Sequence, residues 1–145
     1  MSQSAEELFR QREKRVNDAI ALKKPDRVPI MVLFGFFPAR YAGFTVQEVM
    51  YDPEKMWGAQ WKTLTDFQPD MDQNPYFLRY LGPILEALDF KQLIWPGHGM
   101  KADHTYQFVE GEYMTAEEYD HFLLDTTDFM MRRYWPRVCG ALKGL

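Results

Sequence analysis

The sequence has little cysteine, little histidine and no excess of positive charge. Its one cysteine, Cys139, excludes an internal disulfide framework. The balance of 17 Lys+Arg against 21 Asp+Glu gives a net charge of −4, which argues against nonspecific binding to nucleic acid. The three histidines, His98, His104 and His121, do not have the spacing of a zinc site. We therefore expect no metal bound by these residues and no nucleic-acid partner.

Long apolar runs are also absent. The longest, residues 28–39, contains two prolines and a glycine and falls short of the ~18 residues that span a bilayer. Its content of β-forming residues without polar alternation predicts a buried strand, covered on both faces, that ends in a turn. Residues 6–15 are charged where a secretory signal would be apolar. These features predict a cytoplasmic protein that does not enter a membrane.

Aromatic residues are abundant, with 4 Trp, 8 Tyr and 11 Phe, and 9 Met add to them. With 46% hydrophobic and 26% charged residues, the composition predicts one globular unit over residues 1–145. We expect the tryptophans to lie in the core rather than in a ligand pocket.

Three pairs of residues have the spacing of a capping box, which marks the start of a helix: Ser4 with Glu7, Thr45 with Glu48, and Thr115 with Glu118. Periodicity then predicts helices over about 5–23, 46–50, 53–66, 76–88 and 115–134, with a kink or break at Gly82-Pro83. Short strands are predicted over about 27–34, 91–95 and 106–109. The pattern is that of a helix-rich α/β protein.

Arg40, Tyr41 and His98 are the candidate binding residues. Arg40 and Tyr41 follow the first predicted strand and its Gly/Pro turn, where α/β proteins place ligand loops. Arg40 either holds a substrate carboxylate or anchors its loop by bonding backbone carbonyls, and both interpretations remain open. His98 lies between two glycines, as either a structural turn or a ligand-facing imidazole.

The remaining chemical signals are weak. No phosphate loop or dinucleotide fingerprint occurs, so we expect no nucleotide cofactor. Cys139 is predicted to be a buried, unreactive thiol, and Glu110 and Glu112 to be solvated. No complete catalytic set can be assembled, so the catalytic residues are not predicted.

Several segments, in their order along the chain, are similar to the N-terminal part of one enzyme superfamily. The matching segments are residues 15–29, 39–43, 52–55, 95–97, 107–114 and 118–120. Together they resemble the uroporphyrinogen decarboxylase superfamily, which includes corrinoid-dependent methyltransferases and O-demethylase components. The resemblance implies a (β/α)₈ TIM barrel of ~250 residues or more, with its site at the carboxyl ends of the strands. Residues 1–145 would then form an incomplete N-terminal segment of that barrel.

The resemblance carries over to few residues. Arg40 matches the second of two arginines that bind substrate carboxylates in the decarboxylases, but Phe36 stands at the first position. Asp72 is at best a substitute for the aspartate that holds the pyrrole N–H groups. Both departures disfavour a tetracarboxylic macrocycle as substrate. The methyltransferase branch implies a zinc ion and a corrinoid protein partner, with the zinc ligands on later strands outside these residues.

Three functions follow as hypotheses. The first is a protein of the methyltransferase or O-demethylase branch, in which Arg40, Tyr41 and His98 face a small-molecule substrate. The second is a true uroporphyrinogen decarboxylase of porphyrin biosynthesis. The third is a non-catalytic binding or assembly module, because an open-edged partial barrel exposes strands and apolar surface to a partner or to a second copy.

Overall fold

The computed structural model describes residues 4–72 and 80–144. Within these residues the chain is a helix-rich, mixed α/β structure, and no helix is both long and apolar enough to cross a bilayer. The helices are α1 (Ala5–Ile20), α2 (Phe37–Tyr41), α3 (Val46–Tyr51), α4 (Pro53–Phe67), α5 (Gly82–Leu88), α6 (Tyr119–Leu124), α7 (Thr126–Phe129) and α8 (Trp135–Val138). The strands are β1 (Met31–Val32), β2 (Met71–Asp72), β3 (Leu93–Pro96), β4 (Gly99–Met100) and β5 (Gln107–Phe108).

Local capping sets the starts of the first helices, as the sequence predicts. The Ser4 hydroxyl accepts the Glu7 backbone N–H, and the Glu7 carboxylate accepts the Ser4 N–H. Thr45 and Glu48 make the same exchange before α3. These reciprocal bonds satisfy N–H groups that have no partner within the helix.

Strands β1 and β2 pair in parallel, with Met31 opposite Met71 and Val32 opposite Asp72. Helices α2, α3 and α4 connect them, so this half of the chain is a β-helix-β unit. Within the described residues the two strands form a sheet of their own, and each therefore has one open edge. The α/β class is confirmed at this level.

A buried ion network fixes α1 against the start of both strands. Arg15, only 5% exposed, donates to both oxygens of Asp26 at 2.7 and 2.6 Å and to Asp70 at 2.5 Å. The Asp70 side chain is fully buried and also accepts bonds from Arg27 and from the Ile30 N–H. Burial alone would raise the pKa of Asp70, but these donors together hold it below its ordinary value.

The core lies among α2, α3, α4, α5 and β3. One cluster joins Ala39 and Val49 to the inner face of α4, and a second joins Val46, Met50 and Trp95 to α5. The side chain of Phe36 packs against both clusters. The N-terminal helices and β3 therefore share one packed interior.

The predicted strand over about 27–34 is present but much shorter, and the prediction that it is covered on both faces is wrong. Only Met31 and Val32 are in a strand, α2 begins at Phe37, and the residues around β1 are largely exposed. A strand is buried on both faces only when neighbouring elements cover it, and here β1 has β2 as its one sheet neighbour among the described residues. The exposed set, called the β1 apolar surface below, consists of Ile30, Met31, Leu33, Phe37, Phe67 and Met71.

The predicted C-terminal helix over about 115–134 is interrupted. A 3₁₀ turn at Ala116–Glu118 leads into α6, and Asp125 then leaves helical geometry with φ −145°. The Asp125 carboxylate accepts the Asp128 N–H and starts α7, which passes through a π-helical turn, Met130–Tyr134, into α8. Asp125 can satisfy a new helix start locally, so the break costs little.

Two other predictions are corrected in part. Of the four tryptophans, only Trp95 is buried, whereas Trp57 and Trp61 are more than half exposed. The predicted helix over about 76–88 begins at Gly82 in the described chain, and its first part lies outside the described residues. Pro83 occupies the first turn, where its missing N–H is tolerated.

Candidate functional site

Arg40 lies on α2, shortly after β1, and its side chain is exposed. Its Nη2 donates to the backbone carbonyl of Asp103 at 2.7 Å. This bond corresponds to one of the two interpretations of Arg40 given above, in which it anchors its loop by bonding a backbone carbonyl. It uses one of the five guanidinium N–H groups, and the others have no partner among the described residues. Arg40 can therefore anchor the loop and still bind an anionic group.

The loop that Arg40 anchors, residues 97–104, also contacts α3. The Gln47 N–H donates to the Ala102 carbonyl at 3.0 Å. Gly97 has φ +90°, and a Cβ there would lie 2.7 Å from Nε2 of Gln47. Any side chain at this position would be strained by the left-handed backbone and would displace the end of the Gln47 side chain.

His98 belongs to a hydrogen-bonded cluster at the start of this loop. Its Nε2 lies 2.6 Å from Oε1 of Glu86, and the same oxygen accepts the Tyr51 hydroxyl at 2.7 Å. The imidazole stacks on the Trp95 ring, with centroids 4.4 Å apart. Trp95 Nε1 in turn donates to the Tyr51 oxygen at 2.9 Å. The His98 and Glu86 side chains are each 44% exposed, so the cluster borders solvent.

Hydrogen bonds and burial shift the pKa values of two side chains in this cluster, Glu86 and Tyr51. The Tyr51 hydroxyl, and then His98, lower the pKa of Glu86 below its ordinary value. Burial raises the pKa of Tyr51, and the neighbouring Glu86 carboxylate raises it further, despite the opposing bond from Trp95. Glu86 is thus an anion that orients the imidazole, and Tyr51 stays a neutral donor. The imidazole is therefore held in a fixed orientation at the solvent border.

Tyr41 lies in a different environment. Its hydroxyl donates to Asp66 at 2.9 Å, its ring stacks on Phe37, and the Lys62 ammonium lies 4.5 Å from the ring centre. The ring also meets Phe67 edge-on at 5.2 Å. Tyr41 therefore joins the margin of the β1 apolar surface.

The structure links two of the three candidate residues through one loop. Arg40 anchors residues 97–104 and His98 lies within them, whereas Tyr41 contacts the last turn of α4. The sequence did not predict Tyr51 and Glu86. They lie 35 residues apart, and neither belongs to a local motif, so only the packing of α3 against α5 brings them together.

The described residues do not assemble a metal site, since they contain no group of three or more His, Cys, Asp or Glu side chains that could hold an ion. Cys139 is buried, as predicted, and burial raises the pKa of its thiol. Comparison with protein-family models, with curated proteins and with solved structures gives no match to the sequence. Function is therefore argued from the residues themselves.

Proposed function

We propose that residues 1–145 form the N-terminal segment of a (β/α)₈ barrel similar to the uroporphyrinogen decarboxylase superfamily, of its methyltransferase or O-demethylase branch. In this proposal the segment binds part of a small-molecule substrate beside Arg40, with His98 and Tyr41 at the margins. The rest of the barrel, a zinc site and a corrinoid protein would complete the reaction.

The observation that carries this proposal is the parallel pairing of β1 and β2 across a helical connection. Barrels of this type are built from such units, and their substrates bind at loops that follow the strands. Arg40 stands in the first such loop region, on α2. The open edges of β1 and β2 are where further strands would pair.

The site favours a substrate with few negative charges. Arg40 offers free guanidinium N–H groups, but Phe36 supplies a hydrocarbon where the decarboxylases carry a second arginine, and it is packed into the core. One cation suits one carboxylate or oxyanion better than the four acetate groups of a porphyrinogen. This favours the methyltransferase branch over true decarboxylation.

The zinc implied by the resemblance does not fit the residues described here. His98 is engaged with Glu86, and Cys139 is a buried thiol with a raised pKa. The role proposed for this segment is accordingly binding and orientation, without a metal-dependent step.

The test is an assay of the native protein that carries residues 1–145. We expect transfer of the methyl group from methylcobalamin to an added thiol. The change in corrinoid absorbance measures this transfer. When the added thiol carries a carboxylate or other oxyanion, Arg40→Ala should raise the KM for that thiol about tenfold, because one charge-assisted hydrogen bond is lost. Carbon dioxide release from uroporphyrinogen would instead establish the decarboxylase alternative.

A matched control is available at Asp103. Arg40 bonds the backbone carbonyl of Asp103 and not its carboxylate, so Asp103→Ala should leave the KM unchanged. An unaltered KM and turnover in Arg40→Ala would remove Arg40 from the binding site.

A second candidate function, a non-catalytic assembly module, is favoured by the β1 apolar surface. Its six side chains are each between 40% and 72% exposed. Contiguous apolar patches on this scale mark interaction sites. This candidate is tested by measuring whether the chain self-associates in solution.

A further inference from the structure

A groove runs between α1 and the segment where α4 leads into β2. It consists of two adjoining cavities of about 460 and 560 Å³, which have Leu8, Arg12 and Met71 among their shared lining residues. Cavities of 300–1,000 Å³ are typical of small-molecule sites. The groove shares no lining residue with the clusters around Arg40, Tyr41 and His98, so it is independent of the proposed substrate site.

Arg12 lines both cavities and has no carboxylate partner among the described residues. Arg15, almost one turn later on α1, contacts two carboxylates, and Arg10 pairs with Glu6. Glu13 is adjacent in sequence, but neighbouring residues on a helix do not face each other. A half-buried guanidinium without an anion favours a ligand that supplies one.

The walls beside Arg12 are apolar and aromatic. Phe9 on α1 is 64% exposed and Trp61 on α4 is 71% exposed. Leu64 on α4 and Met71 on β2 add apolar surface. Flat rings stack well on exposed aromatic side chains. The walls therefore suit the planar apolar body of a small molecule.

The acidic residues of the groove limit the charge of that molecule. Asp70 lines it, but its carboxylate is held by Arg15, Arg27 and the Ile30 N–H. Asp72 and Glu13 add negative charge at the two ends of the lining. A second negative group on the ligand would meet these carboxylates and be repelled.

We propose that this groove binds a small monocarboxylate with a planar apolar body, with its carboxylate on Arg12 and its ring against Trp61. The ligand class follows from the Arg12 guanidinium, which has no carboxylate partner among residues 4–72 and 80–144, from the exposed rings of Phe9 and Trp61, and from the acidic residues around them. The volume of the groove suits a small molecule, so the proposal involves neither a second protein nor a membrane.

The test compares two probes that differ only in charge, 2-naphthoate and the neutral 2-naphthamide, by isothermal titration calorimetry on the 145-residue chain. We expect naphthoate to bind at least tenfold more tightly than naphthamide. Arg12→Ala should weaken naphthoate binding at least tenfold and leave naphthamide binding unchanged. Arg10→Ala, the same change on the same helix but outside the groove, should leave both affinities unaltered.

The comparison of the two probes on the unaltered chain does not depend on the folding of any variant. Equal affinity for naphthoate and naphthamide, or no binding of naphthoate at millimolar concentration, would overturn the proposal. So would naphthoate binding to a folded Arg12→Ala variant with unchanged affinity.

Discussion

Asp70 connects parts of the chain that lie far apart in sequence. It accepts bonds from Arg15, which is 55 residues away, and from Arg27, which is 43 residues away. Its second role is to accept the Ile30 N–H just before β1, so one carboxylate positions both α1 and the first strand. The second carboxylate of this network is Asp26, which also pairs with Arg15, and the Arg27 side chain borders solvent.

We predict that Asp70→Asn destabilises the fold by about 3 kcal/mol, because the buried Arg15 guanidinium then keeps only the more exposed of its two carboxylate partners, Asp26. Denaturant unfolding followed by circular dichroism measures the change. Glu6→Gln, which removes an exposed carboxylate from a pair with Arg10, should have little effect. Equal effects of the two substitutions would contradict a special role for Asp70.

The same carboxylate gives stability a defined pH dependence. The pKa of Asp70 is lower in the folded chain than in the unfolded chain, so its contribution is present above the unfolded value of ~3.9. That contribution is lost as the pH falls through the lower, folded pKa. Asp70→Asn should therefore lose less stability than the unaltered chain between about pH 5 and pH 2.

At the scale of elements, the contact between α3 and α5 depends on a glycine. A Cβ at Gly82 would lie 2.6 Å from ring carbons of Tyr51, the residue that bonds Glu86 and Trp95. The two helices approach closely only because this side chain is a hydrogen atom. The first turn of α5 thus fixes the tyrosine of the His98 cluster.

We predict that Gly82→Ala destabilises the fold by about 1–3 kcal/mol, the usual range for overpacking. Gly58→Ala is the matched control. Gly58 lies within α4, and its Cβ would meet nothing within 4 Å, so this change should stabilise the helix by about 0.5–1 kcal/mol. Urea unfolding of both variants measures the difference, and destabilisation by both would disprove the packing argument.

Sequence reasoning predicted elements well where the deciding interaction is local. The pairs Ser4 with Glu7 and Thr45 with Glu48 determine their helix starts within four residues, and the structure has both. The break at Asp125 was missed although an N-capping aspartate precedes Thr126, because the apolar stripe continues through it. A cap and a periodic stripe gave opposite predictions, and the cap prevailed.

The candidate site was predictable only in part for the same reason. Arg40 and His98 could be proposed from their neighbours in sequence, but their partners could not. Asp103 is 63 residues from Arg40 in the sequence. Glu86 is on α5, 12 residues before His98, which lies in the loop of residues 97–104. Such contacts depend on tertiary packing, for which the sequence offers no local pattern.

At the scale of the whole molecule, the β1 apolar surface bears on association. Its exposed area is on the order of 500 Å², taking ~150–250 Å² for each large side chain. Met31 is more than half exposed and lies opposite Met71 in the strand pair. Parallel strands are ordinarily covered on both faces, so this surface is expected to be covered by another protein surface.

We predict that the 145-residue chain self-associates at tens of micromolar and that Met31→Lys shifts it to the monomer, measured by sedimentation velocity. A lysine in this surface would have to lose its hydration in the interface. Leu22→Lys is the control, because Leu22 is 95% exposed and lies outside the surface. A monomer at all concentrations, or equal effects of the two lysines, would contradict this.

The burial of this surface was the least predictable property. An apolar run in the sequence indicates that a segment favours burial. It does not indicate whether residues 1–145 themselves provide the surface that buries it. Residues 27–34 have the composition of an interior strand, yet Val28, Met31 and Leu33 are each more than half exposed in the described chain. Amino-acid composition indicates whether a segment is apolar enough to favour burial. Its exposed fraction depends on which other elements pack against it.

The bond between Arg15 and Asp70 also sets an order of events during synthesis. A ribosome adds about 5–20 residues per second, so Arg15 leaves the exit tunnel about 3–11 seconds before the carboxylate 55 residues behind it. During that interval the described carboxylate partner that Arg15 can reach is Asp26, only 11 residues behind it. The link from α1 to the sheet forms last, when Asp70 emerges.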